Sequence, residues 1–173
     1  TAILGAMVGC ESKVYQPIQV GPDTSVAVVQ PNASWTLVWN DEFNGDTIDK
    51  NKWEHEVNCY GGGNAERQCY TKRPVNSFVE DGKLHIVARN YQFTGPSDPE
   101  GKSRHKATLP YTSARLRTMN KGDWQYGRFE VRAKLPFGQG TWPAIWMLPT
   151  DYVYGGWAAS GEIDIVEAVN LKT

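Results

Sequence analysis

"GEIDIVEAV", residues 161–169, sets three carboxylates, Glu162, Asp164 and Glu167, among Ile163, Ile165, Val166 and Val169. On a helix, at roughly 100° per residue, the acids fall near 0°, 200° and 140° and share no face. On a strand, Glu162 and Asp164 point one way with Ile163 and Ile165 opposite them, and β-branched residues favour that conformation. Glu167 is then out of phase by one residue, which a β-bulge at residues 165–166 corrects. The stretch therefore predicts a bulged strand, apolar toward a core and acidic on its other face. With one residue absorbed, Glu162 and Glu167 stand four strand steps apart, roughly 13 Å between Cα atoms. Side chains leaning together would close this to roughly 5–6 Å between carboxyl groups. An EF-hand loop is excluded, because no glycine occupies its middle and the ligand spacing is wrong.

Two carboxyls about 5–5.5 Å apart are the arrangement of retaining glycosidases, whereas inverting ones need about 6.5–9.5 Å to admit a water. A solvated acidic strand face satisfies the same spacing, and the stretch alone leaves both readings open.

Composition narrows the partners. The chain has 173 residues, 40% hydrophobic, with net charge −1, enough apolar content for one core and no field to gather nucleic acid or an anionic membrane. No run reaches the 18 or so apolar residues of a membrane helix. Seven tryptophans are divided between core packing and flat platforms of the kind that bind sugars. The opening "TAILGAMVGCESK" runs apolar and small to Cys10 and then turns polar. It is similar to the end of a bacterial lipoprotein signal, with Met7 at the usual Leu position and Cys10 as the lipidation candidate; a plain secretory signal is the alternative. Either sends the protein across the inner membrane, to a secreted or cell-envelope location. Residues 11–33, with Gln16, Pro17, Gly21, Pro22 and Pro31, read as a linker. Cys59 and Cys69 are then candidates for a disulfide in an oxidising compartment, since "NCYGGGNAERQC" lacks the spacing of a zinc site.

Strands recur along the rest. Candidates are residues 35–39, 83–89, 113–118, 126–135, 144–148 and 161–169. In "RFEVRAKL" Phe129, Val131, Ala133 and Leu135 are expected inward and Arg128, Glu130, Arg132 and Lys134 outward. Turn clusters such as "EDGK", "NKGD" and "PFGQG" separate them. The expected fold class is all-β, a sandwich in a single domain over residues 34–173. Such sandwiches often run to about 200–250 residues, so the domain is expected to be C-terminally incomplete and the chain inactive on its own. Strands that pair with the acidic one would lie beyond it.

"GEIDIVEAVN" together with "GQGTWPAIWMLP" resembles glycoside hydrolase family 16, most closely its bacterial endo-β-1,3-glucanases, or laminarinases. The resemblance runs from "WTLVWNDEFNGDTIDKNKWEHE" through "GGGNAERQCYT", "TSARLRT" and "YGRFEVRAKLP" to the C-terminus. Glu162, Asp164 and Glu167 fill the acidic places of the bulged signature Glu-x-Asp-x-x-Glu. The resemblance implies a β-jelly roll whose concave cleft binds β-glucan, with Glu162 as nucleophile, Glu167 as general acid/base and Asp164 tuning Glu162. It implies sugar contacts at Asn64, Glu66, Arg115, Trp142, Trp146 and Trp157, a core role being the alternative for Trp146 and a structural ion pair for Arg115. It implies no catalytic cofactor and allows a structural calcium away from the cleft; the complete protein is expected to be a monomer whose only membrane contact is an anchor at Cys10. Val166 and Ala168 depart from the usual neighbours of the last Glu, and Cys69 replaces a usual aromatic. Mixed-linkage glucanases carry the unbulged acid pattern, and glucan-recognition relatives lack catalytic acids, so neither matches.

Overall fold

The computed structural model describes residues 34–172 and, before them, the backbone of two strands. In chain order the strands are β1 (Ala2–Gly5), β2 (Val8–Pro17), β3 (Trp35–Asp41), β4 (Glu54–His55), β5 (Gln68–Tyr70), β6 (Ser77–Glu80) and β7 (Lys83–Ile86). There follow β8 (Phe93–Pro96), β9 (Lys106–Leu109), β10 (Tyr111–Ser113), β11 (Arg115–Arg117), β12 (Arg128–Lys134), β13 (Ala144–Met147) and β14 (Ile163–Glu167). A 3-10 turn at Gly61–Gly63 and a one-turn helix α1 (Trp157–Ser160) complete the described elements. The molecule is all-β, as expected. Among the described residues no helix is long and apolar enough to cross a membrane.

One sheet runs β14-β13-β1-β11-β4; a second runs β12-β2-β7-β6, with β3 also on β2. The expected strand at residues 113–118 is two. At Ala114, which is fully buried, the chain leaves β10, parallel to β5, and enters β11, antiparallel to β4. "EDGK" forms the β6–β7 hairpin, with Asp81 at φ 50° and Gly82 at φ 67°, the two left-handed positions of a two-residue turn whose twist matches its strands.

Val131 of β12 and Leu135 just after it pack on the core but Ala133 is exposed, a correction to the expected inward row. The pairing of β12 with β2 shifts register between Ala133 and Lys134, which breaks the alternation there. β1 and β2 lie in the segments read as signal and linker; whether a segment pairs in the fold and whether it once directed export are separate properties. Cys10 lies in β2 opposite Ala133, and its side chain is outside the described residues.

The core gathers Phe43, Trp53, Val79, Leu84, Ile86, Ala114, Leu116 and Ile145. Fully burying a side chain such as Leu84, Leu116 or Ile145 is worth about 1.5–3 kcal/mol. Trp39 extends the cluster sideways, edge-on to Trp53 at 5.5 Å and to Trp124 at 5.4 Å. Because Ile165 and Val166 of β14 pack against this cluster, the core fixes which face of the acidic strand is left outside.

Candidate active site

Residues 145 and 146 of β13 are consecutive, but they pair with residues two apart in β14: Ile145 with Val166, and Trp146 with Asp164. Ile165 is the extra residue, so the bulge falls where the acidic spacing required it. Beyond it Glu167 pairs with Ala144, on the same face as Asp164. The apolar side differs from expectation at Ile163, which is 62% exposed. The bulge brings both Ile165 and Val166 onto the core, whereas Ile163 stands near the strand's start and, among the described residues, β14 has no neighbour on its far edge.

Each glutamate carries an indole. Trp142 Nε1 donates to Glu167 Oε1 at 3.1 Å, and Trp157 Nε1 donates to Glu162 Oε2. Trp157 opens α1, and both tryptophans are exposed, Trp142 by 45% and Trp157 by 63%, leaving ring surface for a flat ligand. Pro143, next to Trp142 in the chain, is fully buried. Partial burial raises the Glu162 carboxyl above its ordinary value; the Trp157 N–H pulls it down, while Asp164 and the charge of Glu167 push it up. Trp146, half-buried, stands opposite Asp164 in the sheet, with the Arg115 guanidinium 5.3 Å from its ring centre.

Arg115, on β11, joins the tryptophans to a second group of residues. Its Nη1 lies 3.5 Å from Glu56 Oε2, its Nη2 donates to Tyr70 Oη at 2.8 Å, and its carbon sits 4.2 Å over the Tyr70 ring. Burial works against the charge on Arg115, but Tyr70, Glu56 and Glu66 outweigh it and raise its pKa. Burial also raises the Glu56 carboxyl, against the pull of Arg115 and Arg117. Glu66 accepts from Tyr70 Oη at 2.9 Å and from Gln68 Nε2. Asn64 is exposed at the end of the 3-10 turn, its backbone N–H donating to Gly61 at 3.0 Å. At Gly62 (φ 60°) a Cβ would collide with the Glu66 carboxylate, so this loop needs glycine there.

Cys59 and Cys69 form a disulfide across the base of the same loop. The acids and the named tryptophans thus form one group with Arg115, and Glu66 joins it through Tyr70. Tyr70, Gln68 and Glu56 had not been singled out in the sequence. Glu66, Gln68 and Tyr70 sit at i, i+2 and i+4, the spacing that gives one face of a strand, and that signal was available. Among the described residues no group of three or more His, Cys, Asp or Glu side chains could hold a metal ion.

The family model described as "XgeA-like, catalytic GH16 domain" matches residues 112–173, the span that holds all three acids, Arg115 and the three tryptophans. Over those residues the chain resembles the catalytic domain of glycoside hydrolase family 16. The chain is 45% identical over 161 residues to a glucan endo-1,3-beta-glucosidase A1 of Niallia circulans, covering 88% of this chain and 22% of that protein. It is 42% identical over 174 residues to a beta-glucanase of Rhodothermus marinus, covering 98% of this chain and 52% of the relative. The catalytic domain of an endo-1,3-beta-glucanase (laminarinase) from Thermotoga petrophila superposes with a TM-score of 0.69 at 43% identity, over 81% of this chain and 54% of that one. The chain thus spans about half or less of the length of these relatives. The family 16 likeness places the described strands in a jelly-roll architecture.

Proposed function

We propose that the protein carrying this chain hydrolyses internal β-1,3-glucosidic bonds of laminarin-type β-glucan with retention of configuration. The observation that carries the proposal is the bulge that puts Asp164 and Glu167 on one face of β14, with Glu162 against Asp164 and an exposed indole N–H on each glutamate. The likeness to endo-1,3-glucanases supports the choice of bond. Glu162 attacks the anomeric carbon and forms an ester to the sugar while Glu167 gives its proton to the departing glycosidic oxygen. Glu167 then takes a proton from water, which attacks the same carbon and returns Glu162 as a carboxylate. The Trp157 N–H favours the ionised nucleophile and works against Asp164 beside it, which pushes the Glu162 carboxyl up. Asn64, Glu66, Arg115 and the three tryptophans bind the glucan chain, and the chemistry asks for no cofactor.

The proposal extends to the rest of the protein. It acts as a monomer in the cell envelope or outside the cell, with residues 1–10 the end of an export signal and Cys10 the lipid acceptor. Incorporation of labelled palmitate, lost in Cys10→Ser, is the expected check; equal labelling of both would remove the anchor. For the activity, reducing ends should appear with laminarin and not with agarose, carrageenan or lichenan. Glu162→Gln should lower kcat by roughly four orders of magnitude or more, as loss of a nucleophile does elsewhere. An active Glu162→Gln enzyme would sink the assignment, and glucan binding without cleavage by the unaltered protein would move it to the recognition proteins.

A further inference from the structure

Tyr70 is buried, 7% exposed, between two groups that the proposed function assigns to glucan binding. Its hydroxyl has three neighbours: Arg115 Nη2 at 2.8 Å, Gln68 Nε2 at 3.0 Å and Glu66 Oε2 at 2.9 Å. Their chemistry fixes the direction of every bond. Arg115 and the Gln68 amide nitrogen only donate, so they occupy the two lone pairs, and the single phenolic proton goes to Glu66. Nothing on the oxygen is left over for a ligand. The ring is committed as well, lying under the guanidinium at 4.2 Å, while Trp146 faces the same guanidinium at 5.3 Å.

We infer that Tyr70 is a positioning residue for the sugar subsites, a buried hydroxyl that sets Arg115 and Glu66 relative to one another and to Trp146. Arg115 and Glu66 belong to chain segments 49 residues apart (115 − 66), and the phenol is the shared partner that holds a cation and a carboxylate to one oxygen. Burial raises the phenol's pKa to about 12, a shift that Arg115 opposes and Glu66 reinforces, so the proton stays in place over the working range. The remaining guanidinium and carboxylate lone-pair positions can then meet sugar hydroxyls at a fixed spacing, with the pyranose plane set by Trp146. Tyr70 touches neither the substrate nor the reacting atoms; it acts through its two partners.

The inference rests on the proposed glucan hydrolysis, and kinetics of the intact protein on laminarin separates the two. Tyr70→Phe keeps the ring beneath Arg115 and removes all three hydroxyl bonds. KM should rise about tenfold, the scale of hydrogen bonds to charged groups, with kcat changed less than about twofold and an unaltered circular dichroism spectrum. Glu66→Gln, which disturbs no core packing, is the second variant and should raise KM in the same way. The double variant should be no worse than the poorer single, because both break one coupled unit. An unchanged KM in either single variant, or a fall confined to kcat, would overturn the inference. If the unaltered protein does not cleave laminarin, the functional reading fails instead.

Discussion

Two groups of tryptophans in this molecule use one side chain in opposite ways. Trp53 is 2% exposed, stacks with Phe43, takes the edge of Trp39, and satisfies its N–H on Asp41 at 2.8 Å. Trp124 continues the chain of rings to Phe129 at 5.7 Å. Trp142 and Trp157 keep their rings in the open and direct their N–H groups onto the two glutamates. In the first group the ring is the contribution and the N–H is a liability to be satisfied. In the second the N–H orients an acid and the ring is free for a ligand. The difference is set by position: Trp53 follows a turn that tucks it under β3, whereas Trp142 and Trp157 flank the acidic bulge.

Substitution can break that comparison. Trp53→Ala should cost about 3–5 kcal/mol of unfolding free energy, the scale of a large-to-small change in a packed core, read from urea denaturation. Trp142→Ala should leave the denaturation midpoint nearly unchanged and weaken laminari-oligosaccharide binding by about 1–3 kcal/mol, the scale of a flat ring stacked on an aromatic platform. Loss of stability with unchanged affinity in Trp142→Ala would move that residue to the first group. A smaller effect sharpens the contrast at Trp157. Glu162 has a raised pKa in the fold and must be ionised to attack, so kcat/KM should fall as pH drops through a value above that of an ordinary glutamate. Trp157→Phe keeps a ring and removes the N–H that favours the carboxylate, so the acid limb should move to higher pH. A limb that stays put, or moves down, would show that the indole does not act on Glu162.

The acidic face was legible because strand periodicity and charge disagreed by one residue, and only a bulge reconciles them. The alternation of "RFEVRAKL" and the turn cluster "EDGK" gave β12 and the turn that precedes β7 for similar local reasons, while β6 on the other side of that turn was not foreseen. What escaped depended on distant contacts. β8 contains Thr94, Gly95 and Pro96, a composition that reads as a turn. Gly95 is glycine because a Cβ there would come within 3.0 Å of Cys59 Sγ and 3.3 Å of the Phe93 ring, a crowding invisible without the disulfide. The split at Ala114 has no turn residue to announce it, since the chain changes sheets while remaining extended. Tyr70 gained its place from a hydrogen bond to a residue 45 positions away, which no local pattern carries. Ile163 was expected inside because alternation was carried through the start of the strand, where the core does not reach.

The central claim, that Glu162 and Glu167 occupy different chemical roles on one face, is tested most directly by azide rescue with an aryl β-glucan oligosaccharide whose leaving group needs no proton. Without its carboxylate, Glu162→Ala cannot form the ester, and azide attacking in its place should give the α-glycosyl azide. Glu167→Ala still forms the ester, and azide attacking that intermediate from the other side should give the β-glycosyl azide. The anomeric proton coupling in the NMR spectrum of each product distinguishes the two. An α-product from Glu162→Ala and a β-product from Glu167→Ala is the expected result, and the reverse pairing, or one anomer from both, would contradict the assignment of roles.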